Sequence, residues 1–245
     1  MQIITTAIIK GGTGKTTTTA ALAQAAAADG KRVLAIDLDP QGNLSLFIGA
    51  DQNQAGSYQL LHGADARQVI QRTQQDIDVI AASPDLATER TAPASAKRLQ
   101  EALKPVKGMY DFIFIDTPPQ MGELTFNALQ ASTGIIIPLE TDNSSIQGLY
   151  QITDIAKQIQ QGANTELCIL GVIISRYDAR PKLNRYFYDA IIRTSKEAGI
   201  PFLMAIRPGI AIREAQAVQR SLYQYAPRSK PAQDYNTLYK MIQEV

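Results

Sequence analysis

Apolar and polar positions are grouped along the chain in two alternating kinds of block. Short, continuous apolar runs rich in Val and Ile cover residues 3–9, 33–36, 77–81, 112–115, 135–139, 167–174 and 202–206. A strand with one wet face would show a regular in–out alternation, so short apolar, β-branched runs without that alternation predict strands covered on both faces. Between them, residues 16–28, 94–103, 124–130, 144–160, 183–198 and 211–222 carry apolar residues at three- and four-residue spacing, which predicts helices with a buried face. Strand and helix in alternation imply βαβ crossovers. The expected fold is therefore α/β, a single doubly wound, mostly parallel twisted sheet with helices on both faces. Residues 50–91, rich in Gln, Asp and Ala, are the least regular stretch. No repeat, low-complexity tract or Pro/Gly-rich linker divides the chain, and residues 1–245 read as one domain.

Composition narrows the chemistry. With 45% hydrophobic and 19% charged residues the chain is too apolar for disorder. No apolar stretch approaches the roughly 20 residues that span a bilayer, and no basic residue precedes the first apolar run, so a cytoplasmic location is expected. One cysteine, Cys168, excludes a disulfide framework and a thiolate cluster built by one subunit; inside an apolar run it reads as a core residue. The single His62 lies in no context that suggests a nucleophilic triad.

The first apolar run leads into Lys10-Gly11-Gly12-Thr13-Gly14-Lys15-Thr16-Thr17 and then an Ala-rich helix. Glycines here let backbone N–H groups turn inward and approach phosphate oxygens where a Cβ would clash. Lys15 is placed to reach β and γ phosphates, the Thr16 hydroxyl to ligate Mg²⁺, and the helix N-terminus to add partial positive charge. The ordinary pattern G-x-x-x-x-G-K-[ST] would need glycine at position 9; this chain has Ile9 there, and a second lysine, Lys10.

That string resembles the K-G-G-x-G-K-[ST] signature of the deviant Walker A ATPases, the ParA/MinD family. The resemblance implies ATP and Mg²⁺ as cofactors, held by Lys10, Gly11, Gly12, Thr13, Gly14, Lys15, Thr16 and Thr17. It also implies that Lys10 acts catalytically with Lys15, across a nucleotide-sandwich homodimer, on the partner's phosphates.

Phosphoryl transfer needs a metal and a group to place the attacking water. Two apolar runs end in carboxylates: residues 33–36 lead into Asp37-Leu38-Asp39-Pro40-Gln41-Gly42-Asn43, and residues 112–115 into Asp116-Thr117-Pro118-Pro119. Both ends fall on the sheet edge where the phosphate loop lies. Strand alternation places Asp37 and Asp39 on one face, and either could instead cap the helix that follows Pro40. By resemblance to the family's switch I and Walker B segments, Asp39 orients the water, Asp116 holds Mg²⁺ through water, Asp37 contributes to the metal region and residues 117–122 form switch II. No arginine finger is obvious nearby, which suits slow turnover and a timing role.

The net charge of +1 hides an uneven distribution. Residues 1–170 hold 12 Lys+Arg against 17 Asp+Glu, whereas residues 171–245 hold 12 against 6, a net of +6. Seven of the ten tyrosines also follow position 170, and Arg beside Tyr builds either a sequence-independent nucleic-acid surface or an ordinary amphipathic exterior. Here too the chain resembles ParA proteins of the chromosomal, Soj type, with a D-x-R segment at Asp178–Arg180 and, within residues 206–215, a segment resembling h-R-h-[SA]-E-A in which Arg213 matches the arginine. Carried over, Arg180 and Arg213 bind non-specific double-stranded DNA. The family's adenine-side I-P-R reads Ile206-Arg207-Pro208 here, making Arg207 and Pro208 the adenine-side candidates, and Ser175 stands where relatives often carry Asn.

The reading is a ParA-like partition ATPase, nucleoid-associated when ATP-bound, that moves a plasmid, chromosome or mobile element with a ParB-like centromere-binding partner stimulating hydrolysis. A positioning ATPase for a protein cargo and a MinD-like membrane ATPase are the alternatives. Residues 239–245 are too short and weakly basic for a membrane-binding helix, so no membrane is expected. A redox role like that of the nitrogenase iron protein needs two cysteines per subunit. Tyr235 and Tyr239, four apart, read as one packed helix face and not as the displayed tyrosine cluster of a kinase tail. No segment before the first strand offers a helix-turn-helix, so autorepression is not expected.

Overall fold

A computed structural model describes residues 1–89 and 97–243. Eight strands form one sheet: β1 (Gln2–Thr6), β2 (Val33–Asp37), β3 (Gln71–Arg72), β4 (Asp78–Ile80), β5 (Phe112–Asp116), β6 (Gly134–Leu139), β7 (Cys168–Ile174) and β8 (Phe202–Ala205). Their order is β3-β4-β2-β5-β1-β6-β7-β8, and every pair is parallel except β3 with β4.

The helices are α1 (Lys15–Ala28), α2 (Asn43–Ile48), α3 (Ser57–Leu61), α4 (Ala66–Val69), α5 (Arg98–Ala102), α6 (Glu123–Ala131), α7 (Asn143–Gln161), α8 (Lys182–Glu197), α9 (Ala211–Ala217), α10 (Leu222–Tyr225) and α11 (Lys230–Gln243). Successive residues of β2 go to opposite layers. Val33 and Ala35 pack with the alanines of α1 and with Tyr235, Leu238 and Tyr239 of α11, while Leu34 and Ile36 pack with Leu60, Leu99 and Leu124. A strand covered in this way favours apolar residues on both faces, which is why Val33 to Ile36 form a continuous run before Asp37. Helix α1 is small-residue because it is buried between the sheet and α11, with Ala20–Ala26 almost wholly enclosed.

The departures from expectation have local causes. The run at 3–9 is strand only to Thr6, because its last residues open the phosphate loop. The helix expected at 211–222 breaks after Ala217: Gln219 takes a left-handed φ of 51°, and the Leu222 N–H turns to the Gln24 side chain at 3.1 Å. Of the helix expected at 94–103, α5 covers the later part, and positions 94–96 lie outside the described residues. The irregular stretch holds α3, α4, β3 and β4, pieces too short to show a period. Cys168 is exposed, not core: β8 pairs with β7 only from Val172 onward, so the start of β7 has no strand on that side. Tyr235 and Tyr239 do form a buried face of α11.

Candidate active site

The site assembles where β1, β2 and β5 end. Between β1 and α1 the chain makes a loop in which Gly12 (φ 78°) and Gly14 (φ 89°) adopt left-handed backbone that a side chain would strain. The Thr13 hydroxyl is buried here without a partner. The Lys15 ammonium donates to the Lys10 carbonyl at 2.9 Å; burial lowers its pKa, and Asp116 and Asp39 partly offset this.

Register places the carboxylates side by side, with Asp37 opposite Asp116 and Asp116 opposite Thr6. Both are fully buried, yet they differ. Asp37 accepts from the Ser45 N–H and hydroxyl, each at 2.8 Å, and from the Asp39 N–H at 3.1 Å, so it ties α2 to the end of β2. Burial nonetheless pushes Asp37 up to about 6. Neither oxygen of Asp116 has a well-formed hydrogen bond; the Thr16 hydroxyl is near enough to lower its pKa in part. Burial, and then the charge of Asp37, raise Asp116 well above the usual carboxylate range. A buried carboxylate with free lone pairs, facing a threonine hydroxyl at a helix N-terminus, fits a hard divalent cation of the Mg²⁺ kind, which takes one or two carboxylates and leaves the remaining positions to water and phosphate.

Asp39 caps the turn after β2 by accepting from the Gln41 N–H at 3.0 Å. It lines a cavity of about 600 Å³ with Pro40, Gln41 and the segment from Pro118 to Leu124. Glu89 and Glu123 also face this cavity, both joined to Arg98.

A second cavity, of about 530 Å³, opens beside Gly14 and Thr17 and is bordered by Ser175, Arg207, Pro208 and Arg213. The Arg207 guanidinium is drawn toward α11 by Asp234, at 2.7 and 2.9 Å, and its N–H donates to the same carboxylate at 2.8 Å. The Ser175 hydroxyl is buried without a partner against Gly14, where an added Cβ would lie 3.1 Å away. Arg213 is exposed on α9 at the rim and, among the described residues, makes no ion pair. Arg180 is also exposed, but its guanidinium is paired with Asp178 at 2.6 to 3.0 Å.

Sequence reasoning missed the residues that hold Lys10. Its ammonium bonds to Asp142 and, at 3.2 Å, to the Ser145 hydroxyl, with Glu140 at 3.8 Å. Burial favours a raised Asp142, yet Lys10 and the Ser145 N–H bring it down to about 2. Asp142 is the N-cap of α7, accepting from the Ser145 N–H at 2.8 Å. A capping pattern after β6 was the available signal; nothing in the sequence paired it with a lysine 132 positions earlier.

Comparison with known proteins decides the family. A family model described as an AAA domain matches residues 1–169. The sporulation initiation inhibitor protein Soj of Bacillus subtilis is 36% identical over 249 residues, covering 95% of this chain and 94% of that one. The chain belongs to the ParA/MinD family of P-loop ATPases. A second relative, the chromosome-partitioning ATPase Soj of Thermus thermophilus, is 33% identical over 230 residues, covering 94% of this chain and 90% of its own. Among solved structures, the cell division ATPase MinD of Pyrococcus furiosus superposes with a TM-score of 0.81 at 28% identity, covering 99% of this chain and 98% of that one. As a member of the ParA/MinD family the chain is an ATP hydrolase with the family's doubly wound sheet.

Proposed function

We propose that this ParA-type ATPase is a nucleotide-driven switch that partitions a DNA cargo, whether plasmid, chromosome or mobile element. Its cofactors are ATP and Mg²⁺. ATP closes a homodimer, the dimer holds double-stranded DNA without sequence preference, and hydrolysis stimulated by a ParB-like partner releases it. The observation that carries the reading is the position of α9, whose Ile212, Arg213 and Gln216 border the same cavity as Gly14 and Thr17. A nucleotide in that cavity is therefore in reach of the helix that bears an unpaired basic side chain.

In this reading Lys15 and the backbone of Gly11, Gly12, Thr13 and Gly14 hold the phosphates, with Thr17 and the backbone of Arg207 and Pro208 on the base side. Thr16 and Asp116 hold Mg²⁺, which neutralises charge on the phosphates, while Asp37 serves the metal region indirectly by fixing α2. Asp39 orients the water that attacks the terminal phosphorus, giving ADP and phosphate. Lys10 leaves Asp142 to meet the partner's phosphates. Arg213 and, once freed from Asp178, Arg180 contact DNA phosphates. The protein is cytoplasmic and sits on the nucleoid in its ATP form.

A membrane role is less favoured, because the apolar face of α11 is buried in the core. Among the described residues no helix is long and apolar enough to cross a membrane.

Light scattering with ATP and Mg²⁺ tests the dimer. Asp39→Ala should accumulate a dimer while losing about 10² or more in hydrolysis, the contribution expected of a group that places the nucleophile. Lys15→Ala should stay monomeric. A monomeric Asp39→Ala protein that still binds ATP would contradict the reading.

A further inference from the structure

Arg176 sits between β7 and α8 and belongs to none of the roles assigned above. Its backbone is strained, with φ at 54°, a left-handed value that a long side chain adopts only where its surroundings impose it. The surroundings here do so on both sides. The Ser175 N–H donates to the Leu139 carbonyl at 2.7 Å, and the Tyr177 N–H to the Ile206 carbonyl at 2.8 Å. The consequence of this turn is where the guanidinium goes. It donates to the carbonyl of Gly12, inside the phosphate loop, at 2.5 Å, and pairs with Glu140. Glu140 is itself fixed, since its N–H donates to the Ser145 hydroxyl at 3.0 Å.

In a trans peptide the C=O and the following N–H point in opposite directions. A donor that holds the Gly12 carbonyl therefore also fixes the direction of the Thr13 N–H, opposite to that carbonyl. Gly12, with no Cβ and a φ of 78°, offers little resistance to rotation of that peptide by itself, so an external anchor matters. We infer that Arg176 is a positioning residue for the phosphate loop: through the Gly12 carbonyl it presets the Thr13 N–H toward the nucleotide phosphates, with Glu140 as its support. The inference rests on the loop being the nucleotide site. Arg176 also borders the cavity beside Gly14 and Thr17, but the preset acts in the free protein, where a formed cradle lowers the ordering cost of binding.

Calorimetric titration with Mg-ATP and Mg-ADP, paired with the thermal midpoint of the nucleotide-free protein, tests it in four variants. Arg176→Gly keeps the left-handed backbone without strain and removes the guanidinium. Its midpoint should not fall, while Kd for both nucleotides should rise about tenfold, the size of a missing charge-assisted hydrogen bond. Arg176→Lys restores a cationic donor and should recover most of that affinity, leaving Kd within about threefold of the parent. Glu140→Gln, which loosens the support, should weaken binding by about threefold. Lys15→Ala should bind no nucleotide at all. If Arg176→Gly binds both nucleotides within about twofold of the parent, or Arg176→Lys is as weak as Arg176→Gly, the positioning role is overturned. Undiminished binding by Lys15→Ala would instead overturn the assignment of the loop.

Discussion

Asp116 shows what a catalytic site costs a fold. It is fully buried with no well-formed hydrogen bond on either oxygen, next to Asp37 in register. An unpaired buried charge of this kind costs about 1 to 3 kcal/mol or more, and in the proposed function its favourable partner is a cation that arrives with the nucleotide. In the unfolded chain both carboxylates titrate near 4, whereas in the folded chain Asp37 is pushed up to about 6 and Asp116 further in the same direction. Between these values the folded state holds protons that the unfolded state has released, so stability declines as pH rises through the window and the cost is present in full above it. Two outcomes follow for calorimetry in EDTA without nucleotide. Acidification from about pH 7 toward 5 should raise the midpoint. Asp116→Asn should raise it at neutral pH, by about 2–4 °C for each kcal/mol recovered, and flatten the pH dependence. The same variant should lose Mg²⁺-dependent stabilisation by ATP. A lower midpoint for Asp116→Asn would contradict this account of the site.

The elements explain what was legible beforehand. The central strands could be read because buried parallel strands are nearly continuous in apolar and β-branched residues, and the phosphate loop because Lys10 to Thr17 is local in sequence. What escaped depends on long-range pairing. The Lys10–Asp142 bond and the Arg176–Gly12 bond join residues 132 and 164 positions apart, and neither leaves a local pattern. The broken helix of α9 and α10 escaped for a similar reason. The Gln24 side chain on α1 accepts from the Leu222 N–H at 3.1 Å and donates to Gln75 at 2.8 Å; Gln75 in turn donates to the Phe47 and Gln219 carbonyls at 2.8 and 2.9 Å. This buried relay outweighs the helical periodicity of 211–222. Gln24→Leu should leave the Leu222 N–H and the Gln75 Oε1 unsatisfied and cost about 1–3 kcal/mol, read as a drop in the denaturant midpoint. A variant as stable as the parent would show that the relay does not hold the break. Cys168 escaped because a continuous apolar run does not reveal where the neighbouring strand stops.

At the scale of the whole molecule, an acidic body precedes a basic C-terminal third of net +6, and the proposed switch assigns the Mg-ATP chemistry to the first and a polyanion to the second. In that proposal one subunit neutralises too few phosphates for tight binding and two subunits closed together double their number, so that modest charge becomes a switch. The most direct measurement is the affinity of the chain for non-specific double-stranded DNA with ATP, with ADP and with neither, each across a salt series. Strong binding with ATP alone is expected, with Arg213→Ala weakening it and lowering the salt slope by about 1 for each DNA phosphate that the variant no longer neutralises. Equal affinity in all three nucleotide states would contradict the account.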